Sequence, residues 1–383
     1  MPSSFSTDPL VLLQSLLQCR SVTPADDGAL SVAADALKGM GFEVTYLPFG
    51  PGESPTPNLY ARLGRGAPFL CFAGHTDVVP PGDGWQYDPF AGQVQDGMVY
   101  GRGTADMKGG VACAVAAVAR YVQENPSFPG SIAFLLTGDE EGPAQFGTRP
   151  VLEWMEERGE QPDFCLLGEP TNPQQLGDVI KIGRRGSLNA VITVTGVQGH
   201  VAYPHLAHNP IHPLVAILQD LVKHQLDSGN EWFAPSSLQI TSIDVGNTAT
   251  NVIPAQAQAK LNIRFNDQHS GKTLTEWLRS VVGHHASEAT VGVSVSGEAF
   301  LTEPGEAVAQ LSHAIESVTG RRPALDTGGG TSDARFIAHY MPVAEFGLVG
   351  ATMHKRDEHV SIASLEELTR IYQAFINNFF GNN

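Results

Sequence analysis

Three short apolar runs in the first half of the chain each stop at residues that bind metals. Residues 68–74 (PFLCFAG) run into His75-Thr76-Asp77, residues 131–137 (SIAFLLT) into Gly138-Asp139-Glu140-Glu141, and residues 164–167 into Gly168-Glu169. A fourth acid, Asp106, stands just ahead of the Ala-rich stretch 107–123 (MKGGVACAVAAVARYVQ). The runs are short, apolar and without helical period, so they read as buried strands; the Ala-rich stretch reads as a helix. His75, Asp106, Glu141 and Glu169 are separated by 31, 35 and 28 residues. A strand–helix–strand unit takes roughly 30 residues to return to the same edge of a parallel sheet. The spacing therefore brings all four to the carboxyl edge of one sheet, where open α/β sheets place their sites.

The α/β pattern opens with an amphipathic helix starting at Asp8-Pro9. No basic segment precedes its apolar run, so a signal peptide is not expected. A further helix is expected at 151–158. Near Gly186 the pattern changes: strand 187–195, helix 212–225, strands 238–245 and 255–265, helix 273–282 and strand 290–296, which is the ferredoxin-like order. After Gly297 come a helix at 307–318, a strand at 342–346 and a closing helix at 364–380, with Ser364 and Glu367 as its capping box. The expected fold is α/β. A mostly parallel-sheet domain with helices on both faces, residues 1–185 and 297–383, is interrupted by a smaller α+β ferredoxin-like domain, residues 186–296.

The 383 residues carry 23 Lys+Arg against 40 Asp+Glu, a formal net charge of -17. That argues against a general nucleic-acid or membrane-surface binder, whose footprint is basic. An anionic small-molecule substrate would have to be met by a few local arginines. No apolar stretch is long enough to span a bilayer. The four cysteines, Cys19, Cys71, Cys113 and Cys165, form no C-x-x-C pair. Free thiols in a reducing cytoplasm are expected.

One imidazole among several carboxylates suits a borderline metal such as Zn²⁺, with Co²⁺ or Mn²⁺ as substitutes. Two ions close together need a bridging carboxylate, and Asp106 ahead of a helix is placed to bridge. Any one of these acids alone would be read as a cap or a surface charge; four at consecutive strand ends form a site. Other motifs fail on inspection. Gly101-Arg102-Gly103 is superficially a dinucleotide loop, but its third glycine position holds Asp106, which would repel a pyrophosphate. Ser270-Gly271-Lys272-Thr273 ends like a phosphate loop but has Asn266 at the upstream glycine position. The irregular His200, His205, His208, His212 cluster reads mainly as a loop, and His284-His285 as a solvated helix end. Neither H-E-x-x-H nor G-x-S-x-G occurs.

The motifs GHTDVVP (74–80), GRGTADMKGG (101–110), TGDEEG (137–142) and GEP (168–170) resemble the di-zinc amidohydrolases that include acetylornithine deacetylase, the aminoacylases and carboxypeptidase G. The resemblance runs the length of the chain. It implies two Zn²⁺ per chain, with His75, Asp106, Glu141, Glu169 and a late histidine as ligands. That histidine is His354 of MHKRDEHV, favoured over His359. It implies further that Asp77 orients His75, that Glu140 is the general base, and that the inserted domain is a lid through which the protein forms a homodimer. His200 on that lid would reach the partner's site to stabilise an oxyanion.

Within the family, GRRGSL (183–188), TNVIP (250–254) and GGTSDARF (329–336) resemble the branch that hydrolyses N-succinyl-LL-2,6-diaminopimelate, a substrate with three carboxylates and one ammonium. A related N-acyl amino acid deacylase is the alternative. Arg185 and Arg264 suit bidentate clamping of carboxylates. Ser187, Tyr203, Asn251, Thr331 and the Gly330 N–H would add neutral hydrogen bonds. Arg184 is open between a hinge arginine and a site residue. A non-catalytic binding protein on the same scaffold is the remaining reading from another class, and the intact Glu140 argues against it.

Overall fold

A computed structural model describes residues 6–52 and 54–381. The chain divides into two compact units. The larger comprises the residues up to Ile182, Thr302–Asp326 and those from Ser332 onward; the smaller comprises Gly183–Leu301 with Thr327–Thr331.

The larger unit is built on an eight-stranded sheet. Its central strands, Ser131–Thr137, Phe69–His75, Phe164–Leu167 and Val343–Glu345, lie side by side and parallel. Ser131–Thr137 and Phe69–His75 are buried along their whole length, as strands covered by helices on both faces must be. The margins are antiparallel: Asn58–Gly64 pairs with Ser131–Thr137, and Glu43–Tyr46 with Asn58–Gly64. Val179–Lys181 meets Val343–Glu345 antiparallel and Ala324–Asp326 parallel.

The Ala-rich helix Lys108–Glu124 is buried on nearly every side. Its small residues let it approach the sheet closely, and a Cβ on Gly110 would collide with the Gly168 carbonyl oxygen. The first helix, Pro9–Gln18, is capped by Asp8, whose Oδ1 accepts from the Leu10 N–H at 2.9 Å. The closing helix is Ile362–Phe379, and the expected Ser364–Glu367 box does not form. Ser361, at the end of the strand His359–Ser361, takes the N-cap instead and accepts from the Ser364 N–H at 3.0 Å. The strand delivers the chain to the helix three residues early, so Ser364 is already inside the first turn.

The smaller unit carries a four-stranded antiparallel sheet in the order Ser237–Asp244, Gln256–Phe265, Gly186–Thr195, Thr290–Gly297. Helices Ile211–Lys223 and Gly271–His285 complete the ferredoxin-like arrangement. Period-two alternation places Leu188, Ala190, Ile192 and Val194 in its core with Leu214, Ile217 and Leu278. Ser270 and Thr273 form the capping box of the second helix, which is the structural use of the Ser-Gly-Lys-Thr motif. Thr327–Thr331, expected in the larger domain, clusters here: Thr327 Oγ1 donates to the Trp232 carbonyl and Arg184 Nη1 to that of Gly330. The four cysteines are free thiols, and no helix among the described residues is long and apolar enough to cross a membrane.

Candidate metal centre

His75 closes the strand Phe69–His75 and is buried. Its Nδ1 lies 2.9 Å from the Asp77 carbonyl oxygen, which can only accept, so Nδ1 carries a proton. A neutral ring therefore turns a lone pair at Nε2 toward Asp106 Oδ1, 3.3 Å away, and Glu169 Oε1, 3.9 Å away. On the other side of Asp106, His354 Nε2 lies 3.3 Å from Oδ2 and 2.9 Å from Glu141 Oε1. Each oxygen of one carboxylate thus faces a different imidazole nitrogen. Lone pairs at such distances require a cation between them, either a proton or a metal ion.

Without a metal the proton fills that role. Burial opposes charge on His75, but the Asp106 hydrogen bond and the Glu169 and Glu140 charges outweigh it and hold the imidazole well above its ordinary value. His354 is pushed up to about 10 by hydrogen bonds to Asp106 and Glu141. Burial would raise Asp106, yet the bonds from His354 and His75 hold it below the usual carboxylate range. Burial raises Glu169 strongly, and the Asp106 and Glu140 charges add to it. Glu169 Oε1 is buried without a hydrogen-bond partner. An orphaned carboxylate oxygen beside His75 and Asp106 is the donor a cation would satisfy. Among the described residues His75, Asp106 and Glu141 form the one cluster whose ligand atoms all lie within 4.8 Å of one another.

Asp77 serves two elements. Besides its carbonyl bond to His75, its carboxylate accepts from the amides of Glu140, at 3.3 Å, and Glu141, at 3.0 Å. Burial lifts Asp77 to about 6. Glu140 is pushed up to about 8, chiefly by burial, with Asp333, Glu141 and Asp106 adding and His75 opposing. Asp139 turns away from the cluster and accepts from the Gln145 and Phe146 amides. Asp333 lines the same small cavity as Glu140, His75 and Glu169, and its Oδ2 accepts from Thr148 Oγ1 at 2.7 Å. Asp333 belongs to the GGTSDARF stretch, where no local pattern distinguishes it as a site acid. His359 points elsewhere: Nδ1 donates to the Asp357 carbonyl and the ring lies against Tyr100.

The remaining sequence-derived residues belong to the smaller unit and fall into groups. Arg264 pairs with Ser187 across the sheet. Its guanidinium is held below its ordinary value by burial and by the Arg185 charge, and neither arginine has an ion-pair partner among the described residues. The two guanidiniums are thus close enough for the charge of one to act on the other. Ser187 Oγ accepts from Asn262 Nδ2 at 3.2 Å. The short ribbon Gly199–His200 with Val252–Ile253 brings His200 near Asn251, whose carbonyl accepts from the Val201 N–H, and near Tyr203, at 5.7 Å between ring centroids. His200 Nδ1 accepts from the Ala202 N–H at 3.0 Å, so the neutral ring presents Nε2–H to solvent. His208 pairs with Glu288, His212 accepts from Asn209, and His285 pairs with Asp220, so these histidines form no cluster of their own.

Residues 71–378 match the model of Peptidase family M20/M25/M40. The chain is 67% identical over 377 residues to a succinyl-diaminopimelate desuccinylase of Gluconobacter oxydans, covering 98% of this chain and 99% of the relative. It is 62% identical to the protein of that name from Gluconacetobacter diazotrophicus, covering 98% of each. Among solved structures, aminopeptidase PepT from Bacillus cereus superposes with TM-score 0.78 at 21% identity, over 98% of this chain and 99% of that one. The Bacillus subtilis YXEP protein, described as a dinuclear metal binding peptidase from the M20 family, superposes with TM-score 0.68 at 16% identity, over 96% and 97%.

Proposed function

The chain belongs to Peptidase family M20/M25/M40, and from that premise we propose that it hydrolyses the amide of N-succinyl-LL-2,6-diaminopimelate to succinate and LL-2,6-diaminopimelate, using two Zn²⁺ ions. The observation that carries the chemistry is Asp106, one carboxylate whose two oxygens each face an imidazole nitrogen. The substrate rests on the name shared by relatives of up to 67% identity and on the unneutralised Arg185–Arg264 pair. These relatives favour the reading over acetylornithine deacetylation. The step belongs to diaminopimelate and lysine biosynthesis in bacteria, and we place it in the cytoplasm, where four free thiols persist.

His75, Asp106 and Glu169 would hold one ion, and Asp106, Glu141 and His354 the other. When bound, the ions supply a water of lowered pKa and polarise the scissile carbonyl. Asp77 keeps His75 in the tautomer with Nε2 free, and through the Glu140 and Glu141 amides it fixes base and ligand together. Glu140 takes a proton from the attacking water and delivers it to the leaving amine. His200 donates Nε2–H to the developing oxyanion of a partner subunit's substrate. Arg185 and Arg264 hold substrate carboxylates, helped by Ser187, Tyr203, Asn251, Thr331 and the Gly330 N–H.

The dimer forms through the smaller unit. Val215 and Val222, two turns apart on helix Ile211–Lys223, are exposed, as is Ile243 on the edge strand Ser237–Asp244. An unpaired edge beside exposed aliphatic side chains is covered in a well-behaved protein. The test of the functional reading is metal content together with turnover of N-succinyl- against N-acetyl-diaminopimelate. Two ions per chain and a strong preference for the succinyl amide are expected; equal turnover of both amides would overturn the substrate assignment.

A further inference from the structure

The residue that would bridge the two ions stands in a loop with no support from its own helix. Lys108–Glu124, which follows it, begins without a capping side chain and without an acid in its first turn. The loop's donors converge instead on one residue from the far end of the chain. Glu358 Oε1 accepts from the amides of Ala105, at 2.8 Å, and of Asp106 itself, at 3.2 Å. Its Oε2 accepts from the Gly103 amide at 3.1 Å and from Arg102 Nη1 at 2.6 Å. The Glu358 backbone carbonyl takes the Gly101 amide at 2.9 Å. The Arg102 side chain and the Gly103, Ala105 and Asp106 amides are thus tied to a single side chain of 0% exposure, whose charge is balanced by Arg102 at 2%, and Gly101 is held by the same residue's backbone.

Glu358 lies four residues beyond His354, on the segment that leads into the strand His359–Ser361. One short stretch therefore carries both the imidazole that faces Asp106 Oδ2 and the carboxylate that grips the Asp106 amide. We propose that Glu358 is a positioning residue of the metal centre: it locks the Asp106 loop to the His354 segment and so fixes the geometry in which one carboxylate can span two ions. The inference rests on the two-metal reading above. A bridging aspartate has a short side chain and tolerates displacement of only about 0.5 Å before its geometry fails. An ionised carboxylate is an acceptor at every lone pair, which is what four converging donors require. A glutamine keeps one acceptor but turns N–H groups toward donors at the other end; an aspartate keeps the charge and withdraws it by one methylene.

A purely structural ion pair between Arg102 and Glu358 would make a different prediction, and the experiment separates the two. Full-length protein is stripped with chelator and titrated with Co²⁺, followed by calorimetry and visible absorption, with thermal unfolding of the metal-free form measured in parallel. The wild type should take up two ions; uptake of fewer would overturn the two-metal reading itself and this inference with it. With two ions bound by the wild type, Glu358→Gln and Glu358→Asp should each bind at least one ion about 10–100-fold more weakly, with an altered cobalt spectrum. A folded variant with wild-type affinities and spectrum, and only a lowered unfolding temperature, would overturn the proposal. Should Glu358→Gln fail to fold, Glu358→Asp decides. If neither folds, the carboxylate serves the fold and not the site, and the proposal is likewise overturned.

Discussion

Replacing Glu140 by glutamine should abolish turnover and yet stabilise the metal-free protein. Burial, reinforced by the charges of Asp333, Glu141 and Asp106, pushes Glu140 up to about 8 from an ordinary 4.5. The folded state therefore binds more protons than the unfolded chain between these values, and wild-type stability falls as pH rises through that window. At pH 7, holding the buried carboxyl protonated costs the fold on the order of 3 kcal/mol relative to free ionisation in the unfolded chain. Glutamine keeps the shape, carries no charge and escapes the cost. For a unit of this size the gain corresponds to an unfolding temperature raised by roughly 5 °C. The assay is thermal unfolding of chelator-treated wild type and Glu140→Gln from pH 4.5 to 8.5. The advantage of the variant should be near zero at the acid end, grow with pH and level off above about 8. In the metal-loaded enzyme the same variant should retain both ions and lose ~10²–10⁴ in turnover, the usual worth of a general base. A variant less stable than wild type at pH 7, an advantage independent of pH, or more than about a tenth of wild-type turnover would refute the reasoning.

Metal uptake should expel protons, because His354, up to about 10, and His75, also raised, are protonated in the metal-free protein at pH 7. Calorimetry in buffers of different ionisation enthalpy should report at least two protons released per chain, the raised Glu169 carboxyl adding its own as it becomes a ligand, with affinity rising with pH below the His354 value; proton-independent binding would contradict it. Mixing Glu140→Gln with His200→Ala under subunit exchange should restore about a quarter of wild-type sites if the histidine acts across the dimer, since half the dimers are mixed and each holds one intact site. Background activity with exchange verified would place His200 in its own chain. Arg264→Met should raise KM for the succinylated substrate by ~10–100-fold, the value of a charge-assisted hydrogen bond. The same loss on an analogue lacking the succinyl carboxylate would remove the clamp role.

What the sequence makes legible is the part written at short range. The three ligand-bearing strands, Ser131–Thr137, Phe69–His75 and Phe164–Leu167, are apolar and run into acids or histidine, and the 30-residue spacing says where those ends meet. The ferredoxin-like unit announces itself through alternation in long strands such as Gly186–Thr195. Three-residue strands such as Val179–Lys181 and Ala324–Asp326 are too short to carry a period, so the sheet's margin stays hidden. Thr327–Thr331 changes unit because of side-chain and carbonyl bonds to Trp232 and Arg184, which no local pattern records. Glu358, inside the MHKRDEHV stretch, carries no local mark of its role, since the amides it grips lie some 252 residues away in sequence.

The same distance argument explains why the site is acidic to a degree the fold alone would not favour. Asp77, Asp106, Glu140, Glu141, Glu169 and Asp333 crowd around two imidazoles, and burial raises Asp77, Glu140, Glu169 and Asp333 above their ordinary values. Charges of one sign gathered out of water oppose folding until something neutralises them. In the metal-free protein, protons on the histidines and the raised carboxyls do so incompletely, and they leave Glu169 Oε1 without a partner. Divalent ions would neutralise the cluster more fully and occupy the positions where lone pairs confront one another at 2.9–3.3 Å. Binding free energy is then also folding free energy. The backbone grips supplied by Asp77 and Glu358 act before the ions arrive: they hold the ligands at the separations the ions need, so that metal binding relieves an electrostatic cost without first having to order the loops.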